Sequence, residues 1–211
     1  MNNEEAMHLV ESTKAIYKTL NPLGVGLEST YGLEYAGLVQ FLSSLNLDGG
    51  FIEVGSAWGA SFHLHATAIP SGPKISIDLP TDQNSGFAPW PPSLTTNIME
   101  SRVSLWKTYF QDVHQIIGNS HHSDTKKQLS TLLNGAQVDF LYIDAEHSYD
   151  GCLADFNDYK EFVRPGGYVG FHDIQLTDPY FLDVLWSEIK GKYEEHYEFN
   201  SPYERIGLIR I

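Results

Sequence analysis

The chain has little cysteine, and no apolar segment long enough to cross a membrane. Cys152 is the only cysteine among 211 residues, so no disulfide can form within the chain, which fits a reducing compartment. No apolar run reaches the roughly 18 residues that a membrane-spanning helix needs. The acidic N-terminus also lacks the apolar segment of a signal peptide. We therefore expect a cytoplasmic protein.

Positive charge is scarce as well. Lys and Arg total 13 against 27 Asp and Glu, which gives a formal net charge of −14. Such a surface repels phosphate backbones and anionic membranes, so we expect neither nucleic acid nor a membrane as a partner. Hydrophobic residues make up 42% of the chain and aromatic residues 13%. That is enough for one well-packed globular core, and it excludes a disordered chain.

Short apolar runs alternate with helical patterns along most of the chain. The first five predicted strands are Phe51–Val54, Lys74–Asp78, Val113–Ile117, Val138–Ile143 and 168–171. This alternation predicts an α/β fold with a doubly wound parallel sheet and helices on both faces. Two further strands, near 193–199 and 206–211, are too close together for a crossover helix. They predict a hairpin that adds one antiparallel strand.

Two segments lie outside this alternation. Helices near 4–20 and 31–45 precede the first strand, so we assign residues 1–48 to N-terminal helices that pack on the core and 49–211 to the main domain. Residues 79–110 form an insertion rich in proline and tryptophan between two sheet strands. Because loops of that length are usually functional, we expect a mobile lid over the strand ends, followed by a helix from about residue 96.

A glycine-containing loop connects the first strand to the next helix. Gly55 and Gly59 allow a sharp turn and a close approach of a ligand to the backbone. The dinucleotide-binding pattern needs a second glycine where Ala57 stands, so a pyrophosphate would fit poorly and a smaller anion such as an amino-acid carboxylate would fit better. Asp78 ends the second strand, where an acidic residue can accept hydrogen bonds from ribose hydroxyls. An ordinary turn with an acidic strand end is the alternative.

Two neighbouring strands end in acidic residues and histidines. Asp144, Glu146 and His147 follow the fourth strand, and His172-Asp173 follows the fifth. Ligands of open α/β sheets bind at this edge, so these side chains can converge although they come from separate strands. Carboxylates and imidazoles together can hold a divalent cation or act as a general base. The alternative is that the aspartates cap helices and the histidines form a polar rim.

These motifs resemble those of a known family. Glu53-Val54-Gly55-x-x-x-Gly59, Ile143-Asp144-Ala145-Glu146-His147-Ser148-Tyr149 and Arg164-Pro165-Gly166-Gly167-Tyr168-Val169-Gly170-Phe171-His172-Asp173 are similar to motifs of the class I S-adenosylmethionine-dependent methyltransferases. The resemblance covers about residues 50–211. It is closest to the small-molecule O-methyltransferase branch, which includes the cephalosporin hydroxylase-related and macrolide-sugar methyltransferase proteins.

The resemblance implies a Rossmann-like sheet of seven strands in the order 3-2-1-4-5-7-6, with strand 7 antiparallel. It also implies a site for S-adenosylmethionine. The glycine loop would line the methionine end, the second strand's acidic end the ribose, and the turn after the third strand the adenine. The implied cofactor residues are Glu53, Gly55, Ser56, Ala57, Gly59, Asp78, Asn119, Ser120, Asp144 and Glu146.

The same resemblance implies O-methylation of a small-molecule acceptor. His147, His172 and Asp144 are the implied catalytic residues, and Asp144, His172 and Asp173 the implied ligands of a divalent cation, magnesium or manganese. Metal-dependent relatives carry two acidic residues where this chain has His172-Asp173, and an imidazole suits magnesium less well than a carboxylate does. A non-catalytic nucleotide-binding domain and an NAD-dependent oxidoreductase are the alternatives. The sequence does not determine the identity of the acceptor or whether the protein forms a homodimer.

Overall fold

The centre of the protein is one seven-stranded sheet. A computed structural model describes residues 1–18, 32–81 and 94–211. The strands are β1 (Phe51–Val54), β2 (Lys74–Asp78), β3 (Val113–Ile117), β4 (Val138–Ile143), β5 (Val163–Phe171), β6 (His196–Asn200) and β7 (Arg205–Arg210). Their order is β3-β2-β1-β4-β5-β7-β6. β7 is antiparallel to both of its neighbours, so the implied topology is confirmed.

Seven α-helices connect or precede the strands in the described residues. They are α1 (Asn3–Tyr17), α2 (Leu33–Ser44), α3 (Ala60–Ala68), α4 (Thr96–Tyr109), α5 (Ser123–Leu133), α6 (Tyr149–Tyr159) and α7 (Leu182–Lys190). The first begins at a capping box, in which Asn2 and Glu5 satisfy each other's backbone N–H groups. None of these helices is long and apolar enough to cross a bilayer.

The start of β5 differs from the sequence prediction. Val163 already pairs with Val138, whereas the next paired residue, Phe140, lies opposite Tyr168. The intervening residues 164–167 therefore form a bulge inside the strand, and they are not a turn before it. Gly166 allows this bulge because its φ is +81°, a conformation that few other residues adopt.

Each face of the sheet carries its own apolar core, because successive strand residues point to opposite sides. Phe51 and Phe140 face α1, α2 and α3. Their neighbours Ile52 and Leu141 face α5, α6 and α7. α1 and α2 thus share one core with the sheet, although the division into 1–48 and 49–211 stays a proposal. Most of the expected lid, which lies between residue 79 and the helix that begins near residue 96, falls on residues 82–93 and so lies outside the described residues.

The parallel strands bring their carboxyl ends to one edge. β1 lies in the middle and pairs with β2 on one side and β4 on the other, with Val54 opposite both Ile77 and Ile143. β5 continues the same register, with Phe171 opposite Ile143. Residues that directly follow β1, β2, β4 and β5 are therefore neighbours in space, and the candidate site lies at this edge.

Candidate cofactor and metal site

Two carboxylates and two imidazoles meet where β4 and β5 end. Asp144 follows β4 and His172 follows β5, and a hydrogen bond from His172 N to Ile143 O (3.1 Å) keeps the two ends together. Asp144 Oδ1 lies 3.2 Å from both His147 Nε2 and His172 Nδ1. Asp173 Oδ2 lies 3.5 Å from the first of these nitrogens and 3.4 Å from the second.

This arrangement has the composition of a metal site. One ligand atom from each of Asp144, His147, His172 and Asp173 can be chosen so that all four lie within 4.8 Å of one another. Two oxygens and two imidazole nitrogens suit manganese, iron or zinc better than magnesium, which prefers oxygen ligands alone. The structure thus brings the three residues predicted as metal ligands together. It adds His147, which was predicted only as a catalytic residue.

The four groups change one another's proton affinity. Burial opposes the charge on Asp144, but His172 above all, and then His147, outweigh it and hold the pKa of Asp144 below its usual range. Burial likewise opposes a charged His172, yet the carboxylate of Asp144 raises the pKa of His172 well above its usual range. The pKa of His147 is raised in the same way, since its hydrogen bond to Asp144 outweighs burial. Without a metal, the cluster therefore favours ionised aspartates and charged imidazoles.

Neighbouring groups fix the orientation of the cluster. Gln175 Nε2 donates to Asp173 Oδ1 (2.9 Å), and Gln175 Oε1 accepts from the N–H of Arg205 at the start of β7 (2.8 Å). The ring of Tyr35, from α2, lies 5.7 Å from that of His172. Such supporting contacts are typical of preorganised sites. The N-terminal helices therefore contribute directly to the environment of the cluster.

The glycine loop is held by Asp78 and by an arginine that the sequence did not point to. Asp78 Oδ2 accepts from Ser56 N (3.0 Å), Ala57 N (2.8 Å) and Arg102 Nη1 (3.0 Å). Arg102 also donates to Ala57 O, which stabilises the positive φ of +42° at Ala57. The only sequence signal for Arg102 is its position on the buried stripe of α4, between Met99 and Trp106.

A cavity of about 230 Å³ lies between the glycine loop and the acidic cluster. Its walls include most of the predicted cofactor residues, namely Gly55, Ala57, Asp78, Asn119, Ser120, Asp144 and Glu146. His121 and His147 line it as well. Among the described residues, Glu53, Ser56 and Gly59 do not line this cavity. Its combination of loop backbone, acidic strand ends and amide side chains fits a nucleoside with a short charged tail.

Two of the predicted cofactor residues are held by contacts of their own. Glu53 is fully buried, and its oxygens meet Ser61 Oγ and His65 Nδ1 at 2.7 Å each. Asn119 Oδ1 accepts from His121 N (2.9 Å) and so shapes the turn after β3. Glu53 thus has a structural partner for each oxygen, whereas the amide nitrogen of Asn119 has no hydrogen-bond partner among the described residues.

The wall near Asn119 also contains an ion pair between a partly exposed histidine and a buried aspartate. His121 Nε2 lies 3.3 Å from Asp155 Oδ1, and Asp155 is fully buried on α6. Hydrogen bonding to Asp155 raises the pKa of His121. Tyr159 donates to Ser120 O (2.7 Å), which fixes the same turn from below. No pattern in the sequence predicts this pairing, since His121 and Asp155 come from separate elements.

Comparisons with known proteins agree with this geometry. A family model described as a methyltransferase domain matches residues 52–174, more than half of the chain. The chain therefore belongs to this methyltransferase family. It is a class I S-adenosylmethionine-dependent methyltransferase, as the sequence resemblance implied.

Solved structures with the same fold cover nearly the whole chain. The O-methyltransferase TomG from Streptomyces achromogenes, involved in tomaymycin synthesis and solved with S-adenosylmethionine, matches with a TM-score of 0.68 and 16% identity, over 100% of this chain and 99% of that one. An O-methyltransferase from Bacillus cereus, solved with S-adenosylhomocysteine, matches with a TM-score of 0.62 and 15% identity, over 97% and 91%. At such identities the likeness shows the fold alone.

One relative is similar over a short segment. A protein of Acanthamoeba polyphaga mimivirus, uncharacterized protein R132, is 47% identical over 59 residues. That segment is 28% of this chain and 23% of the viral protein, so the match spans less than a quarter of the relative's length.

Proposed function

We propose that this methyltransferase acts on a hydroxyl oxygen of a small molecule and that a divalent cation takes part. The observation that supports this most is the cluster of Asp144, His147, His172 and Asp173 directly beside the cofactor cavity. The fold neighbours described as O-methyltransferases point in the same direction. A site built only to bind a nucleotide would not need two ionised carboxylates and two imidazoles at its open edge.

The cavity residues fit S-adenosylmethionine, which would supply an activated methyl group. In this proposal the glycine loop would present backbone groups to the amino-acid end, and Asp78, Asn119 and Ser120 would contact the ribose and adenine. Asp144 lies between the cavity and the cluster, so it would be near the reacting centre. An alternative ligand, NAD, requires room for a pyrophosphate where Ala57 and Trp58 stand.

The cluster residues fit a cation held by Asp144, Asp173 and the imidazole of His172, and a cation there would also favour the neutral form of His147. When bound there, such an ion would lower the pKa of an acceptor hydroxyl that contacts it. The acceptor must also lose its proton to a base. His147 is the better candidate, because its side chain is 32% exposed, whereas that of His172 is 3% exposed. Asp144 and Asp173 face His147 Nε2, so they would orient the ring and stabilise the imidazolium.

The first experiment measures cofactor binding and metal dependence separately. Calorimetry should detect tight binding of S-adenosylhomocysteine, and NAD should bind at least about tenfold more weakly, a difference of about 1.4 kcal/mol. Release of S-adenosylhomocysteine from S-adenosylmethionine, followed over a panel of hydroxylated small molecules, should require Mn²⁺ or Mg²⁺. Tight binding of NAD would contradict the cofactor assignment. Full turnover in excess chelator would contradict the metal and leave proton transfer to His147 or His172.

A further inference from the structure

His121 is held in one position on the wall of the cofactor cavity. Its backbone N–H donates to Asn119 Oδ1 (2.9 Å), and its side-chain Nε2 lies 3.3 Å from Asp155 Oδ1. The same turn is fixed from α6, where the Tyr159 hydroxyl donates to Ser120 O (2.7 Å). His121 therefore lines the cavity from a preorganised position, although the proposed reaction gives it no role.

The partner of His121 favours a positive charge on the imidazole. Asp155 is fully buried, and His121 is its only ion contact among the described residues. A buried carboxylate is costly unless a cation compensates it, so the protonated form of His121 is favoured. The carboxylate of Asp155 accordingly raises the pKa of His121. In the protonated form both ring nitrogens carry a proton, so Nδ1 is a donor as well as Nε2.

His121 Nδ1 and the carboxylate of Glu146 form a donor and an acceptor that do not satisfy each other. Nδ1 lies 3.8 Å from Glu146 Oε2, too far for a hydrogen bond, and neither atom has a hydrogen-bond partner elsewhere in the described part of the chain. The other oxygen, Oε1, accepts from Ser148 Oγ (2.6 Å), which fixes the carboxylate. Both His121 and Glu146 line the cavity. The structure thus presents one donor and one acceptor, side by side, to a ligand in the cavity.

Adenine carries the matching groups. Its amino group at C6 is a donor, and the ring nitrogens N1 and N7, one on either side of it, are acceptors. We propose that His121 Nδ1 donates to one of these ring nitrogens in bound S-adenosylmethionine and that Glu146 Oε2 accepts from the neighbouring amino group. Asp155 is then the positioning residue that fixes and charges the imidazole. The inference rests on the placement of the cofactor in this cavity, which is part of the proposed function.

The pair predicts selection against a purine with an oxygen at C6. In hypoxanthine a carbonyl oxygen replaces the amino group, so the carboxylate of Glu146 would face a second acceptor. S-inosylhomocysteine should therefore bind about 10–100-fold more weakly than S-adenosylhomocysteine in calorimetry. Glu146→Gln should remove that preference. Its amide oxygen can still accept from Ser148 Oγ, which places the amide nitrogen, a donor, at the position of Oε2.

A second pair of analogues tests His121. Replacing N1 or N7 by carbon removes one acceptor, so either 1-deaza- or 7-deaza-S-adenosylhomocysteine should bind the wild-type protein at least about tenfold more weakly than S-adenosylhomocysteine. That loss should disappear in the double variant His121→Phe/Asp155→Leu, in which both members of the ion pair become apolar and no buried charge is left unpaired. His122→Phe is the control, because His122 is exposed and does not line the described cavity, and the loss should persist there.

The outcomes separate this inference from the proposed function. Equal affinity of the wild-type protein for S-adenosylhomocysteine and S-inosylhomocysteine would overturn the inference, as would a preference that Glu146→Gln leaves unchanged. Full affinity of the wild-type protein for both deaza analogues would overturn it as well. These measurements use the wild-type protein and one conservative substitution at a side chain that is 38% exposed, so they decide the question even if the double variant does not fold. Failure of the wild-type protein to bind S-adenosylhomocysteine would instead overturn both this inference and the proposed function.

Discussion

Asp78, the last residue of β2, and Asp144, directly after β4, lie at two positions along one carboxyl edge of the sheet, here called the β2 edge and the β4–β5 edge, and they have very different partners. Asp78 Oδ2 is met by two backbone N–H groups and by the guanidinium of the buried Arg102. Asp144, at the end of β4, contacts imidazoles that are themselves shared with a second carboxylate. The charge of Asp78 is therefore balanced by a fixed arginine, whereas that of Asp144 is balanced only by imidazoles, whose charge can be lost or replaced by a cation.

That difference distinguishes a scaffold from the proposed reacting centre. At the β2 edge, the carboxylate shapes a loop, and its loss should damage the fold first. At the β4–β5 edge, the carboxylates belong to the proposed metal site, so their loss should damage activity and spare the fold. Four experiments can break or sharpen this contrast.

The largest effect on the free energy of unfolding is expected when Arg102 is replaced. Arg102→Ala would leave Asp78 buried without its cation and would remove the contact with Ala57 O. Breaking a buried ion pair in this way costs about 3–5 kcal/mol, and urea unfolding should show a loss of that size in the free energy of unfolding. Arg210→Ala is the control, because its ion pair with Glu195 is solvent-exposed and should contribute far less. A similar small loss for both variants would mean that the β2 edge does not depend on this pair.

The second prediction concerns the β4–β5 edge. Asp173→Asn and Asp144→Asn should each lower turnover by about 10²–10³-fold, because each removes a charge at the proposed reacting centre. Asp173→Asn should leave the affinity for S-adenosylhomocysteine nearly intact, since Asp173 does not line the described cavity. The free energy of unfolding of Asp173→Asn should stay near that of the wild type. Normal turnover in either variant would argue against the metal and against the contrast between the edges.

A buried histidine away from the strand ends gives the third prediction. His63 Nδ1 lies 3.1 Å from the hydroxyl of Tyr17, with no carboxylate beside it in the described residues. Burial therefore lowers the pKa of His63 from 6.5 to about 4. In the unfolded chain the imidazole binds its proton near pH 6.5, so stability should fall as the pH decreases from there to about 4. The fall should reach up to about 3 kcal/mol.

The matched variant for this pH effect is His63→Phe, which should lose less stability over the same interval than the wild type. The comparison uses the change between pH 6.5 and 4, measured by chemical unfolding at several pH values. Any constant loss from the missing Tyr17 contact cancels in that difference. Parallel curves for the two proteins would show that His63 does not resist protonation. His172, surrounded by carboxylates, has its pKa shifted the other way.

Much of the fold could be predicted because local patterns agree with it. The short apolar runs gave β1 to β4 with their observed bounds, and the close spacing of the last two strands predicted the hairpin. The start of β5 was missed, because Pro165 and two glycines are typical of a turn. Here they form a bulge that the neighbouring β4 stabilises. Whether these residues form a turn or a bulge depends on their pairing with β4 and cannot be read from the segment itself.

Part of the candidate site could also be predicted from local patterns. Asp144 and His172 each follow a strand, and parallel strands bring their ends together, so their meeting follows from topology. Arg102 and Asp155 were missed, because each reaches the site from a helix whose position depends on tertiary packing. A lone charged residue in such an element has no local pattern that distinguishes it from a surface residue.

The smallest effect is expected on the affinity for S-adenosylmethionine when the proposed cofactor contact of Asp78 is removed. Its Oδ2 is occupied by the loop and by Arg102, but Oδ1 accepts only from Leu79 N (2.9 Å) among the described residues, and the side chain, 11% exposed, lines the cavity. Ribose hydroxyls could donate to that oxygen. Asp78→Asn should therefore weaken S-adenosylmethionine binding by about 1–3 kcal/mol in calorimetry, with a smaller loss of stability than Asp78→Ala, which would remove every loop contact. Unchanged affinity would assign Asp78 to the scaffold alone. A loss of affinity in Asp78→Asn that exceeds the loss in Arg102→Ala, which breaks the same ion pair, would show that one carboxylate serves the loop through Oδ2 and the cofactor through Oδ1.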